Sequence, residues 1–163
     1  MELSSLLSSR TCVRFGPGPH EVEFRFKIDG TDRFFVVELA PVDEVPHAIH
    51  LFMEQVEHGL WNGCYFYLNG PHIVQVGPRL SEEGASEEHE KARIAPFKTR
   101  GLDQLSFPDY SDDYPHVTWT LGYTGRPGGI DWYINKVRSQ TSLIDEQRFH
   151  HNTHNPPLYW PTD

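Results

Sequence analysis

The chain has 163 residues, enough for one domain of ordinary size around one core. Its 14 Lys and Arg against 23 Asp and Glu leave a net charge of −9, which argues against nucleic-acid phosphates or an anionic membrane as the main partner. Hydrophobic residues are 37% of the chain and aromatic residues 13%, so the core must rely on large rings. No window approaches 18 consecutive apolar residues, and no membrane span is expected.

With 13 Gly and 13 Pro, turns should be plentiful and an all-helical bundle is disfavoured. The two cysteines, Cys12 and Cys64, are too few for a disulfide scaffold. Cys64 opens an apolar strand and reads as a buried thiol, with a bridge to Cys12 as the alternative in an oxidising compartment. The start, MELSSLLSSR, has an acidic Glu2 and no basic segment, a poor match to a secretory signal. The compartment stays unassigned, because a trimmed piece of a secreted or organellar protein would look the same.

Residues 1–20 are Ser-rich and then Gly/Pro-rich, and read as an N-terminal arm. In VEFRFKI, Val22, Phe24, Phe26 and Ile28 alternate with charged residues, the period of a half-buried strand. Asp29-Gly30 is a hairpin dipeptide, and RFFVVEL (33–39) follows as a second, antiparallel strand. Pro46 opens a helix with Ile49, Phe52, Met53 and Val56 on one face, ended by Gly59. His47, His50 and His58 on this helix read as surface side chains. GCYFYL (63–68) and HIVQV (72–76) are two short strands around Asn69-Gly70-Pro71.

Residues 78–104 are charged and without an apolar period, and read as a solvated insertion. VTWTLGY (117–123) and IDWYINKV (130–137) are strands flanking the GRPGG loop. Residues 146–163 form a polar, His/Pro-rich tail. His150, His151 and His154 invite a metal reading, but no carboxylate or cysteine beside them completes a ligand set, so neither metal nor cofactor is expected.

Residues 34–77 resemble the first half of the cyclophilin domain. Glu38-Leu39, Val45-Pro46, Phe52, Gly63, Phe66, Pro71, Gln75 and Gly77 stand in the order that family uses. Phe107 resembles the phenylalanine of its F-x-D-E motif, and 120–134, TLGYTGRPGGIDWYI, resembles the strand–loop–strand ending in Q-F-F-I. The resemblance implies a domain over 21–145 that is mainly β: a cyclophilin-like antiparallel barrel with an early flanking helix. The match stops short of the family's C-terminal elements, so a continuation of the chain or a partner strand is expected to complete the sheet.

The family rotates X–Pro peptide bonds over a barrier of about 18–20 kcal/mol, without nucleophile or metal. A catalyst holds the proline ring in an apolar pocket and stabilises the twisted amide, chiefly with an arginine. Carried over residue by residue, Tyr67 and Leu68 stand where that family has histidine and arginine, and Asp131-Trp132-Tyr133-Ile134 replaces Q-F-F-I. Gly122 and Tyr123 occupy the A-N position. Gln75 and Tyr133 are the candidate catalytic residues, and Arg126 the substitute guanidinium, with Arg79 the other alternative. Phe66, Ile73, Val74, Gln75, Gly122, Tyr123 and Tyr133 are the candidate peptide-binding residues, each weighed against a plain core role.

The preferred reading is a divergent domain that binds proline-containing or extended polypeptide segments with weak or no isomerase activity. Its alternatives are an active peptidyl-prolyl isomerase and a structural subunit with a vestigial groove. The expected partner is a proline-containing polypeptide or protein subunit, not a nucleic acid.

Overall fold

A computed structural model describes residues 2–78, 86–124, 128–137 and 157–158. Helix α1 spans Glu2–Phe15. Strands β1 (Glu21–Ile28) and β2 (Thr31–Glu38) follow, then α2 (Pro46–Glu57), β3 (Tyr65–Asn69) and β4 (Ile73–Gly77). Helix α3 (Glu87–Thr99) precedes β5 (Leu121–Tyr123) and β6 (Trp132–Asn135), and a two-residue strand β7 (Pro157–Leu158) comes last.

The strands form two antiparallel sheets. β1 and β2 are a hairpin in continuous register from Glu21↔Glu38 to Ile28↔Thr31. Its turn residues Asp29 and Gly30 both have positive φ, 49° and 75°, as a two-residue hairpin of matching twist requires. The second sheet runs β3-β4-β6-β5, with β7 against β5. The architecture is mixed α/β: the antiparallel strands and the early helix α2 are present as expected, but three helices in all accompany the strands, and the described strands form two sheets rather than one barrel wall. Among the described residues the hairpin pairs only with itself, and β3 ends its sheet as an edge.

One core joins both sheets to α2. Trp132 is its hub, 1% exposed, with ring centroids 5.1 Å from Phe24, 6.1 Å from Trp61 and 6.3 Å from Phe66. Phe24 in turn stacks on Phe35 at 5.0 Å. The hairpin and the second sheet thus meet through rings rather than backbone hydrogen bonds, which is how a chain of modest apolar content closes its core.

Two helices replace segments read as irregular. α1 takes up most of the expected arm and packs on α2. Its inward stripe is Leu7, Thr11, Cys12 and Phe15, and the polar Thr11 and small Cys12 at its centre break the apolar period. α3 lies within the charged insertion and buries only Phe97, whose ring meets Trp61 edge-on at 5.2 Å. Its stability comes from its ends: the Ser86 hydroxyl accepts from the His89 N–H, and Glu87, Glu88 and Glu90 occupy the first turn and Lys98 the last. In the expected tail, Pro157 and Leu158 pair with β5; the remainder from residue 138 onward, including His150, His151 and His154, lies outside the described residues.

Of the three helix histidines, His58 is the surface side chain expected, while His47 and His50 are half-buried and bonded to other segments. Val45 offers α2 no side-chain cap, and Asp109 supplies one from a distant loop. Its carboxylate accepts from the backbone N–H groups of His47 (2.6 Å) and Ala48 (2.9 Å), while the other oxygen pairs with His47 Nδ1 at 2.6 Å. His50 faces α1. The Thr11 hydroxyl donates to Leu7 O, so it accepts from His50 Nδ1 at 2.8 Å. Cys12 and Cys64 are both free thiols.

Two outcomes follow from these ends and interfaces. Replacing Asp109 by alanine leaves two helical N–H groups and an imidazole without their carboxylate, and should lower stability by about 1–2 kcal/mol in urea unfolding. Burial holds the His50 imidazole below its ordinary 6.5, Arg10, Arg14 and His47 push the same way, and Glu54 opposes them. The folded chain then binds this proton less readily than the unfolded one. The contribution is complete above the unfolded value and is lost as pH falls through the lowered one. The unfolding midpoint of the wild type should therefore drop more steeply from about pH 7.5 to about pH 5 than that of His50→Gln.

Candidate functional site

Side chains of a strand alternate between faces, and directly paired residues share a face. Val76, Trp132 and Tyr123 stand in one paired row and lie in the core. The next row, Gln75↔Tyr133↔Gly122, therefore belongs to the opposite face, as does the pair Ile73↔Asn135.

Leu68 reaches that face through a bulge. Phe66 pairs with Val76 and Leu68 with Gln75, so Tyr67 is the extra residue. Strict alternation would have set Tyr67 opposite Gln75 and turned Leu68 inward. The bulge instead completes a row of Leu68, Gln75, Tyr133 and Gly122 across four strands.

The seven residues expected to bind peptide divide along these faces. Ile73, Gln75, Gly122 and Tyr133 come together on the face opposite the core. Phe66, Val74 and Tyr123 do not. Phe66 sits in the core row, its ring 5.5 Å from Phe26. Val74 pairs with Ile134, which is a core residue. Tyr123 is buried and its hydroxyl donates to Gln55 Oε1 at 2.7 Å. All three were assigned by motif position, and motif position does not report strand facing. Arg126 and Arg79 lie outside the described residues.

Tyr133 is 5% exposed, so it is a wall of the site rather than an open floor. Its hydroxyl shares a 2.9 Å hydrogen bond with His116 Nδ1, and the two rings stack with centroids 6.0 Å apart. Burial raises the phenol pKa, so the hydroxyl stays protonated. Gly122 is the seat of this pair: a Cβ there would lie 2.9 Å from Tyr133 Oη and 3.1 Å from His116 Cε1. His116 is not marked in the sequence, since a lone histidine in a turn-rich stretch carries no spacing signal.

At the Gly77 end of the face a second glycine serves the same purpose. A Cβ on Gly77 would collide with Asp131 Oδ1 and lie 3.2 Å from Tyr67 Cε1. Cys64 is near this corner. Burial pushes its thiol up to about 11, Arg93 opposes and Asp131 adds, so the sulfur is protonated and a poor nucleophile. The Arg93 guanidinium lies over the Tyr65 ring, 5.6 Å from its centroid. Among the described residues no group of three or more His, Cys, Asp or Glu could hold a metal ion.

What the row offers chemically is apolar surface and one carboxamide. Leu68 and the half-buried Ile73 supply surface beside the buried Tyr133, and Gln75 can donate to and accept from a peptide group. Leu68, 41% exposed, has no donor for a twisting amide nitrogen. No family model, curated protein or solved structure matches this chain.

Gly122→Ala tests the seat directly. The added methyl must displace the Tyr133–His116 pair, and the variant should lose about 1–3 kcal/mol of stability, read in urea unfolding.

Proposed function

We propose that this chain is a divergent cyclophilin-like module that binds proline-containing or extended polypeptide segments with weak or no isomerase activity. Its role is recognition or assembly. The binding surface is the face of Leu68, Gln75, Tyr133, Gly122 and Ile73.

The observation that carries this reading is the position of Leu68. The resemblance in sequence places Leu68 where the family keeps its arginine, and the bulge at Tyr67 sets it beside Gln75 in one lateral row. That row keeps the carboxamide and the aromatic wall needed to hold a peptide. At its β3 end stands a leucine, where stabilising the half-rotated bond needs a positive donor. Binding to such a surface favours ground and transition states about equally, and uniform binding does not accelerate rotation.

The test is an exchange measurement by NMR on a short peptide with one central proline. The wild type should bind the peptide while leaving its cis–trans exchange within about twofold of the free rate. Leu68→Arg should raise that exchange about tenfold or more, as a restored donor does in a preorganised site. Strong acceleration by the wild type that collapses in Arg126→Ala would overturn the reading in favour of an active isomerase. Absence of both binding and turnover would leave the face a vestigial surface of a structural subunit.

A further inference from the structure

Trp119 occupies a backbone position that suits glycine. The Thr120 N–H donates to Val117 O at 3.1 Å, closing a turn whose third residue, Trp119, has φ +72°. A β-turn with positive φ at that position ordinarily takes Gly or Asn. The Trp119 N–H donates to Asn135 O at 2.7 Å and the Asn135 N–H to Thr120 O at 2.9 Å. That is the bonding of a bulge whose first residue is usually glycine. A bulky side chain in this region is a genuine outlier, held by what surrounds it.

The surroundings hold the backbone firmly. The Thr120 hydroxyl donates to Val117 O at 2.8 Å and accepts from Asn135 Nδ2 at 2.9 Å. Asn135 in turn pairs with Ile73 on the proposed binding face. Trp119 thus adjoins the β5 side of the Ile73↔Asn135 pair, on a rigid support. Its side chain does not repay the strain inside the fold: the residue is 51% exposed, and among the described residues its indole stacks on no ring and makes no hydrogen bond. An exposed tryptophan on a rigid turn is the kind of residue that anchors a partner.

We infer that Trp119 is the anchor of the binding face and takes the proline ring of an uncharged, extended segment. This rests on the function proposed above. The side chains of Leu68, Gln75, Ile73, Tyr133 and Asn135 carry no charge, and the Asp131 carboxylate at the Gly77 end is buried, so these positions offer a charged segment no exposed counter-ion. Proline suits the indole because it has no N–H to leave unsatisfied against an apolar platform, and its ring can lie on the aromatic face. Segments of this kind are pre-extended and are recognised elsewhere by exposed aromatic rings. The Gln75 carboxamide, which has no partner among the described residues, is available to a neighbouring peptide group.

The full chain is titrated with acetyl-Gly-Ala-Ala-Pro-Ala-Ala-Gly-amide and with the same peptide carrying alanine for proline, following backbone amide shifts. The wild type should prefer the proline peptide. Trp119→Gly should weaken its binding roughly tenfold and erase the preference. The same variant should melt at an unchanged or higher temperature, because glycine accepts the positive φ without strain. Trp119→Asn should behave alike, so early melting of the glycine variant would leave the test intact. Unchanged binding in both variants, with Gln75→Ala weakened, would overturn the inference and leave the proposed function standing. Failure of the wild type to bind either peptide would bring down the function and the inference together.

Discussion

One buried carboxamide sets the geometry of the whole sheet. Gln55, fully enclosed on α2, donates through Nε2 to Leu102 O at 2.7 Å and to Gly129 O at 2.5 Å. Its Oε1 accepts from the Tyr123 hydroxyl at 2.7 Å. Three segments far apart in the chain are thereby held to one side chain, and none of these polar atoms is left unsatisfied in the core. Holding Tyr123 inward forces its neighbour Gly122 to the opposite face. Register carries that choice across Tyr133 and Gln75 to Leu68. The orientation of the candidate site is thus decided on the other side of the sheet from it.

Much of the fold was legible because its signals were local. The alternation from Val22 to Ile28, the Asp29-Gly30 turn and the Pro46 start of α2 all depend on nearest neighbours along the chain, and all appear within a few residues of where they were read. α1 and α3 were not legible by hydrophobic period, because the stripe of one is broken at its centre by Thr11 and Cys12 and the other buries a single ring. Only the Ser86 cap and the acidic run after it announced α3. The Asp109 cap could not have been read at all, since it crosses from one loop to a distant helix. The division into two sheets was not legible for a related reason: it depends on which strands meet, and the hairpin meets the second sheet through the rings of Phe24 and Phe26 rather than by strand pairing.

The site divides in the same way. The seven motif positions fall on β3, β4, β5 and β6, and three of them, Phe66, Val74 and Tyr123, face the core side. Val74 and Tyr123 lie one residue from members of the face, and in a strand one residue is the difference between two surfaces; Phe66 lies two residues from Leu68 and is turned the other way by the bulge between them. His116 enters only through space, by way of Tyr133 and the bare backbone of Gly122. Selection of a tight glycine seat for an aromatic–imidazole pair leaves no trace in composition or period.

The extra residue at Tyr67 has a consequence for how this strand tolerates change. Because the residues on both sides of it keep their partners, shortening β3 by that one position leaves every facing as it is, and removes the kink together with the Tyr67 ring at the Gly77 corner. Loss or gain of a residue anywhere else within β3 or β4 inverts one part of the surface relative to another. Length variation along this edge thus preserves facing at a single point and inverts it at its neighbours.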